Sequence, residues 1–505
     1  MKYVLGVDVG TQSIKAALFN EKMEVVCKAS KEQYVETLKP IWATQKATSW
    51  WEIIKENIKK ILAESKVDPK DIAAFGCCAH MHGAVPIKLD GTVVDDDVQL
   101  YCDKRAGDIT EQMQKEATES DYDTAANIPQ ATWHCIKIKW IMENQPDVYE
   151  KADKFLTPKD YVNFKLTGET CIDPSEGSGT YAMNSANDQW SDQLIAKLGI
   201  DKCKLPTIKQ SYDVVGHISK KAAEETGLSC GTVVVAGGGD MPCLLYAGGM
   251  TRYGTVVDIT GTGGVICGYT EKPVMDKRIM NLRHPVKGWT PFGNIDSAGG
   301  SFRWLRDNLA QHEMDEAKRL GLADYEYLCK LCDETDPGAD GLYFFPYMMG
   351  ERTMGSPNSR GCYIGLSLEK RMGHMVRALL EGVSFEYKRT LDIFEKNNKI
   401  DSVFHVGGAA KGDTWNQIKA DIFNVPVKTL MVDEGGVLGA VLLAAHAVGI
   451  IGDLAEGAES ILKVKKIYEP NPATREIYDD MYGVFCEMHD ALQPGFRKMA
   501  KIRDR

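Results

Sequence analysis

A chain of 505 residues is more than one hydrophobic core serves, so two large domains are expected. Charged residues make up 26% and hydrophobic residues 44%, an ordinary globular balance, and a net charge of −11 argues against general nucleic-acid binding, which needs a basic patch. Any anion site must therefore be local, built from backbone N–H groups, a few Lys or Arg and a metal.

In chain order, Tyr3–Val9 reads as a strand, Gly10-Thr11-Gln12-Ser13 as a turn, Ile14–Phe19 as a second strand and Glu24–Cys27 as a third. The apolar run after Met1-Lys2 is too short for a signal peptide. Trp50–Ser65 has helical periodicity through Trp50, Ile53, Ile54, Ile58, Ile61 and Leu62. Ala73–Cys78 is a strand entering the loop Ala79-His80-Met81-His82-Gly83. Thr232–Ala236 runs into Gly237-Gly238-Gly239-Asp240, and Gly254–Thr260 into Gly261-Thr262-Gly263-Gly264. Val437–Ile451 is too short and interrupted for a membrane span and reads as a buried helix. The alternation is that of the α/β class, with a boundary near residue 245 that separates domains 1–245 and 246–505. A cytoplasmic location is expected, with no membrane partner. The fourteen cysteines lack framework spacing and read as thiols in a reducing compartment, with Cys329 and Cys332 on one helix face.

Four segments carry candidate chemistry. Asp8 ends a strand before a glycine turn; it is a carboxylate for Mg²⁺, with Thr11 and Ser13 as hydroxyls and Lys15 as a cation near phosphate. A plain hairpin fits the same residues. Three glycines bring backbone close to a ligand and project Asp240, a group able to accept a hydroxyl proton; helix capping ahead of Pro242 fits as well. Met81-His82 and Asp103 offer donors and acceptors for sugar hydroxyls, although a lone His is more often structural. Gly407-Gly408 through Gly412, before Trp415-Asn416-Gln417, could admit the face of an adenine or serve helix packing. Val7–Thr11 and Asp258–Thr262 echo one another, with Ile259 in the place of Asp8.

Together and in this order, these segments resemble the FGGY carbohydrate kinases nearly end to end. Trp42-Ala43-Thr44-Gln45, Pro158-Lys159-Asp160-Tyr161, Gly299-Gly300-Ser301 and Pro346-Tyr347-Met348-Met349-Gly350-Glu351-Arg352-Thr353 extend the match. The resemblance implies two ribonuclease-H-like domains of the actin and hexokinase type with an active-site cleft between them. It implies ATP and Mg²⁺, with Asp8 and Asp240 as metal-site carboxylates and Asp240 as the base. Thr11, Ser13, Lys15, Gly261, Thr262, Gly299, Gly408 and Gly412 would meet the nucleotide, and Met81, His82, Asp103 and Asp240 a small-molecule sugar. Met81-His82 is most similar to the xylulokinase branch, which makes D-xylulose the expected acceptor; ribulose, a hexulose, gluconate or glycerol are alternatives, and an ATP-binding regulator without turnover is a remote one. Tyr101-Cys102, Met354, Glu176-Gly177 and Met241-Pro242-Cys243 depart from that branch, and a homodimer is left open.

Overall fold

The computed structural model describes residues 2–396, 398–431 and 435–503. Two compact units emerge, and they interleave: one holds Met1–Thr251, Glu271–Thr290 and Val432–Leu462, the other Arg252–Thr270, Pro291–Met431 and Lys463–Arg505. A single cut at residue 245 does not describe this partition. Two later segments return to the first unit, and one of them is the apolar helix Gly435–Ala447.

In the first unit β1 (Tyr3–Val9), β2 (Ser13–Phe19) and β3 (Val25–Glu32) form an antiparallel meander. β4 (Ile72–Ala79) lies parallel to β1 on the other side. β5 (Val214–His217) and β6 (Val233–Val235) complete the order β5-β6-β4-β1-β2-β3, and the two-residue strand β7 (Gly238–Gly239) also pairs with β4. Side chains alternate across β1 with the strand period of two. Leu5, Val7 and Val9 join Trp50, Ile54, Ile58 and Ile61 of the helix Ala47–Ser65. Val4 joins the opposite core with Val437, Val441 and Leu442. Gly6 and Gly76 face that second side, where the helix Gly435–Ala447 comes so close that a Cβ on Gly76 would stand 2.2 Å from the Ala440 carbonyl oxygen. Asp8, two residues beyond Gly6, shares this face.

The second unit repeats the topology. β8 (Thr255–Thr260), β9 (Gly264–Gly268) and β10 (Trp289–Ile295) pair antiparallel, with residues 292–295 of β10 on β9. β11 (Ser402–Val406) and β12 (Val427–Leu430) run parallel on the far side of β8, and β13 (Val464–Tyr468) closes the edge antiparallel. The Gly-Thr echo in the sequence thus falls in equivalent places, the first hairpin of each sheet. The fourteen cysteines are free thiols, with Cys332 buried and Cys329 half-buried on the helix Asp324–Asp333. Among the described residues no helix is long and apolar enough to cross a membrane.

Candidate functional site

Adjacent strand ends bring two carboxylates of the first unit together. Asp8 sits near the end of β1 in register with Cys78 of β4, and Gly238 of β7 pairs with Cys78 from the other side. Neighbouring strands lie about 4.8 Å apart, so Gly238 stands two strand spacings from Asp8, and Asp240 follows two residues on, close enough for the two charges to interact. Asp240 is not a cap. Gly239 holds that place and Asp240 is the first residue of the helix Asp240–Ala247, half-buried, with its own carboxylate accepting from the Met241 N–H at 2.7 Å. A helix N-terminus favours an anion. Burial and the charge of Asp8 nonetheless outweigh it and push the Asp240 carboxyl up to about 7, the range suited to a general base near neutral pH. Lys15 is opposite Asp8 in the β1–β2 register. The turn that carries Thr11 and Ser13 is fixed by Gly10 N–H on the Ser13 carbonyl (3.1 Å), Gln45 Nε2 on the Thr11 carbonyl (2.7 Å) and Gln33 Nε2 on the Gly10 carbonyl.

These residues suit magnesium. Carboxylate oxygens are its preferred protein ligands, and it binds through one or two of them while keeping waters and phosphate oxygens. A Cβ on Gly436 would come within 3.2 Å of Asp8 Oδ2, so bare backbone leaves room at that oxygen. Among the described residues no group of three His, Cys, Asp or Glu forms a closed metal cage.

The proposed sugar residues lie on loops of the same unit. Met81 packs onto the glycine strand, and a Cβ on Gly239 would meet its sulfur at 2.6 Å. His82 adopts a left-handed backbone at φ 70°, a cost carried by a non-glycine residue near a binding site. Its carbonyl accepts from Lys137 Nζ at 3.0 Å, its N–H points to Glu176 Oε2 at 3.3 Å, and its ring meets Trp133 edge-on at 5.1 Å. Burial, with Lys137 nearby, holds the imidazole neutral well below its ordinary range, and its Nδ1 has no protein hydrogen-bond partner. Glu176, in the stretch that departs from the xylulokinase pattern, is wholly buried; burial raises its carboxyl well above the usual range, and Oε1 lacks a partner.

Asp103 is engaged with its own loop. Its carboxylate accepts from Ala43 N–H (2.7 Å), Arg105 N–H (3.0 Å) and Arg105 Nη2 (2.6 Å), and its side chain is shut off from solvent. Arg105 in turn stacks on Trp42 at 3.6 Å. Asp103 therefore shapes the loop around Trp42 and Ala43, and the Asp-x-Arg spacing was the available sign of this local pair. Lys137, which holds the carbonyls of His82 and Leu100, gave no such sign. One prediction arises here. A Cβ on Gly179 would stand 2.3 Å from His82 Cε1, and Trp133 blocks the ring's retreat. Gly179→Ala should raise KM for the sugar by roughly tenfold or more while KM for ATP holds, because an ångström of misplacement is costly in a positioned site. Steady-state kinetics with each substrate varied in turn checks it.

In the second unit, three glycine segments converge. Gly299 N–H donates to the Gly261 carbonyl (3.1 Å) and Gly300 N–H to the Thr262 carbonyl (2.8 Å), so the hairpin loop rests on the first turn of the helix Ala298–Leu309. A Cβ on Gly299 would stand 2.3 Å from the Gly261 oxygen. Gly407 (φ 95°) follows β11 and lies against the Thr260 carbonyl, which a Cβ would meet at 2.8 Å. Gly408 opens a short turn to Lys411 with nothing within 4 Å of its Cβ position. Gly412 precedes the helix Asp413–Phe423 and binds the Ala409 carbonyl at 3.0 Å. The Gly261, Gly299, Gly300 and Gly412 N–H groups are taken by carbonyls, so what these turns offer a ligand is close approach to bare backbone rather than those four donors.

Residues 3–244 match the N-terminal domain of the FGGY family of carbohydrate kinases and residues 257–448 its C-terminal domain. The chain belongs to the FGGY family of carbohydrate kinases. This FGGY kinase is 30% identical to a xylulose kinase of Bacillus subtilis (strain 168) over 97% of both chains. It is 27% identical to a gluconokinase of Bacillus licheniformis over 99% of this chain and 98% of that one. Among solved structures, a xylulose kinase from Rhodospirillum rubrum superposes with a TM-score of 0.90 at 26% identity, covering 98% of this chain and all (100%) of that one. FGGY kinases are ATP-dependent phosphotransferases that act on small sugars, generally with Mg²⁺.

Proposed function

We propose that this FGGY kinase transfers the γ-phosphoryl group of ATP to a primary hydroxyl of a neutral ketose, D-xylulose first, with Asp240 as the base. The first unit holds the sugar through Met81, His82 and Asp240, and the second holds the nucleotide on the Gly261-Thr262, Gly299 and Gly408–Gly412 backbone. Asp240 takes the hydroxyl proton as the phosphoryl group leaves ADP. Thr11, Ser13 and Lys15 offset the transferred charge. Asp8 and Asp240 would hold Mg²⁺, which would neutralise charge on the phosphates.

The observation that carries the choice of a neutral sugar is how the cations around His82 are used. Lys137 is fully buried and spends its ammonium on the His82 and Leu100 carbonyls (3.0 and 2.8 Å); burial lowers it to about 7. Arg105 is tied to Asp103. Burial raises the carboxyl of Glu176, whose Oε2 faces the His82 N–H, well above its usual range and so favours its neutral form. Neither of these two cations is free for a gluconate carboxylate, whereas hydroxyls and a keto oxygen suit a neutral imidazole and a carboxyl. A coupled ADP-release assay with D-xylulose, D-ribulose, gluconate and glycerol tests this. We expect kcat/KM for D-xylulose to exceed that for gluconate by about tenfold or more, as one missing charge partner warrants. A preference for gluconate overturns the reading of the sugar, and a lack of ATP consumption with every acceptor in the panel restores the regulator alternative.

A further inference from the structure

A fully buried polar chain lies directly beneath the glycine loops of the second unit. Asp258 on β8, His405 on β11, and Asn416 and Lys419 on the helix Asp413–Phe423 have no exposed surface. The Lys419 ammonium pairs with Asp258 Oδ2 and donates to Thr260 Oγ1 (3.1 Å) and His405 Nε2 (3.0 Å). An acceptor Nε2 fixes the neutral tautomer with Nδ1–H as donor, and Nδ1 meets Asn416 Oδ1 at 2.5 Å. Asn416 Nδ2 then donates to the Ala410 carbonyl at 2.9 Å, inside the Gly408–Lys411 turn. On the other branch Thr260 Oγ1 donates to Asp258 Oδ1 (2.5 Å) and stands 2.8 Å from the Tyr387 hydroxyl. Thr260 is the residue before Gly261-Thr262. One ammonium thus reaches both loops, each within one or two residues of the backbone that would face a ligand.

Stability alone is a poor account of this arrangement. Burying an ion pair costs desolvation that a well-packed apolar pair of similar volume avoids. A connected, satisfied network instead fixes geometry. Every donor and acceptor described has a partner, and the chain ends on main-chain atoms of the two loops.

We propose that Lys419 is a positioning residue for the nucleotide, acting through Thr260 on the Gly261-Thr262 loop and through His405 and Asn416 on the Gly408–Lys411 turn. This rests on the reading that those loops hold ATP. The test titrates MgADP into the full-length chain by calorimetry and measures KM for ATP and for the sugar separately. The double variant Asp258→Asn/Lys419→Met removes both charges while keeping side-chain size, so no uncompensated ion is left buried. Its melting temperature should equal or exceed that of the unaltered chain, its MgADP affinity should fall about tenfold with KM for ATP following, and KM for the sugar should hold. Asn416→Leu cuts the link to Ala410 with the ion pair intact; it should weaken MgADP about threefold to tenfold and leave the sugar KM alone, and it decides the matter if the double variant does not fold. Unchanged MgADP affinity in a folded variant overturns the proposal, as does an equal rise in both KM values, which is the mark of a merely structural role. Failure of the unaltered chain to bind MgADP rejects the nucleotide reading itself and this inference with it.

Discussion

Asp240→Asn should lower kcat by about 10²–10⁴-fold while the affinity for ATP stays near that of the unaltered chain, the range that a general base contributes. The amide keeps the size of the side chain and loses the ability to take a proton. Stability should not fall, because the raised carboxyl is a cost to the folded state: folded above its unfolded value of 3.8, it loses stability as pH rises from the ordinary carboxylate range through about 7. Asn removes that cost, so the variant should melt at or above the unaltered chain at pH 8. The rate has the opposite sign. The base must be ionised, so kcat/KM should rise with pH up to about 7. With Mg²⁺ held by Asp8, the repulsion from that carboxylate would be offset and only burial would raise Asp240, so the limb measured with Mg²⁺ would lie below the value of about 7 for the metal-free chain. In Asp240→Asn the limb should vanish. A variant that retains near-normal turnover, or that keeps the same acid limb, would remove Asp240 from the chemistry.

The placement of Asp240 was legible because three glycines after an apolar strand are hard to explain without a close approach. Tyr3–Val9 was legible because both faces of a covered strand are apolar, and its bounds are those observed. The third strand was read as Glu24–Cys27 and runs Val25–Glu32, since an edge strand carries Lys28, Lys31 and Glu32 and loses the apolar pattern that marks a strand. Val437–Ile451 was read as a buried helix and the helix runs Gly435–Ala447, but its composition does not say which sheet it covers. The sign of that lay far away, in Gly6 and Gly76, bare positions in otherwise bulky strands. Buried charges were the least legible part. Lys419 sits on a helix like any solvated lysine, and its partner Asp258 is 161 residues earlier. His82 was named as a ligand, but nothing local announces a left-handed backbone at a histidine. The loop pairing of Asp103 had a local sign, Arg105 two residues on, which the family position overshadowed.

Lys159→Met should destabilise the first unit by about 3–5 kcal/mol, because it leaves buried carboxylates without their cation. Lys159, Asp160 and Asp173 have no exposed surface. The ammonium pairs with Asp160 Oδ1 and with Asp173 Oδ1 (3.2 Å), and donates to the Ala236 carbonyl at 3.0 Å. Two carboxylates share one cation, and burial leaves Asp160 raised to about 6. Without Lys159 the Asp160 carboxyl rises further, so the folded state binds more protons than the unfolded one across the neutral range. Stability then falls as pH rises, and the deficit in urea unfolding should be larger at pH 8 than at pH 5. Asp160→Asn, which leaves Lys159 on Asp173, should cost far less. The same network reaches the glycine strand before Asp240. Asp173 Oδ2 accepts from Ser175 Oγ (2.5 Å) and Ser211 Oγ (2.8 Å), Ser175 Oγ accepts from Gly239 N–H (3.0 Å), and the Ser211 carbonyl accepts from Gly237 N–H (2.8 Å). Lys159 therefore grips the residue before Gly237-Gly238-Gly239 while Asp173 grips both ends of that triplet. Folded Lys159→Met should lose turnover as well, about tenfold or more, with KM for ATP unchanged because the nucleotide loops belong to the other unit. Equal stability and turnover in the variant and the unaltered chain would show that Asp240 is held by its glycine backbone alone. A loss of turnover with the KM for ATP preserved would place the support of the base in this buried lysine.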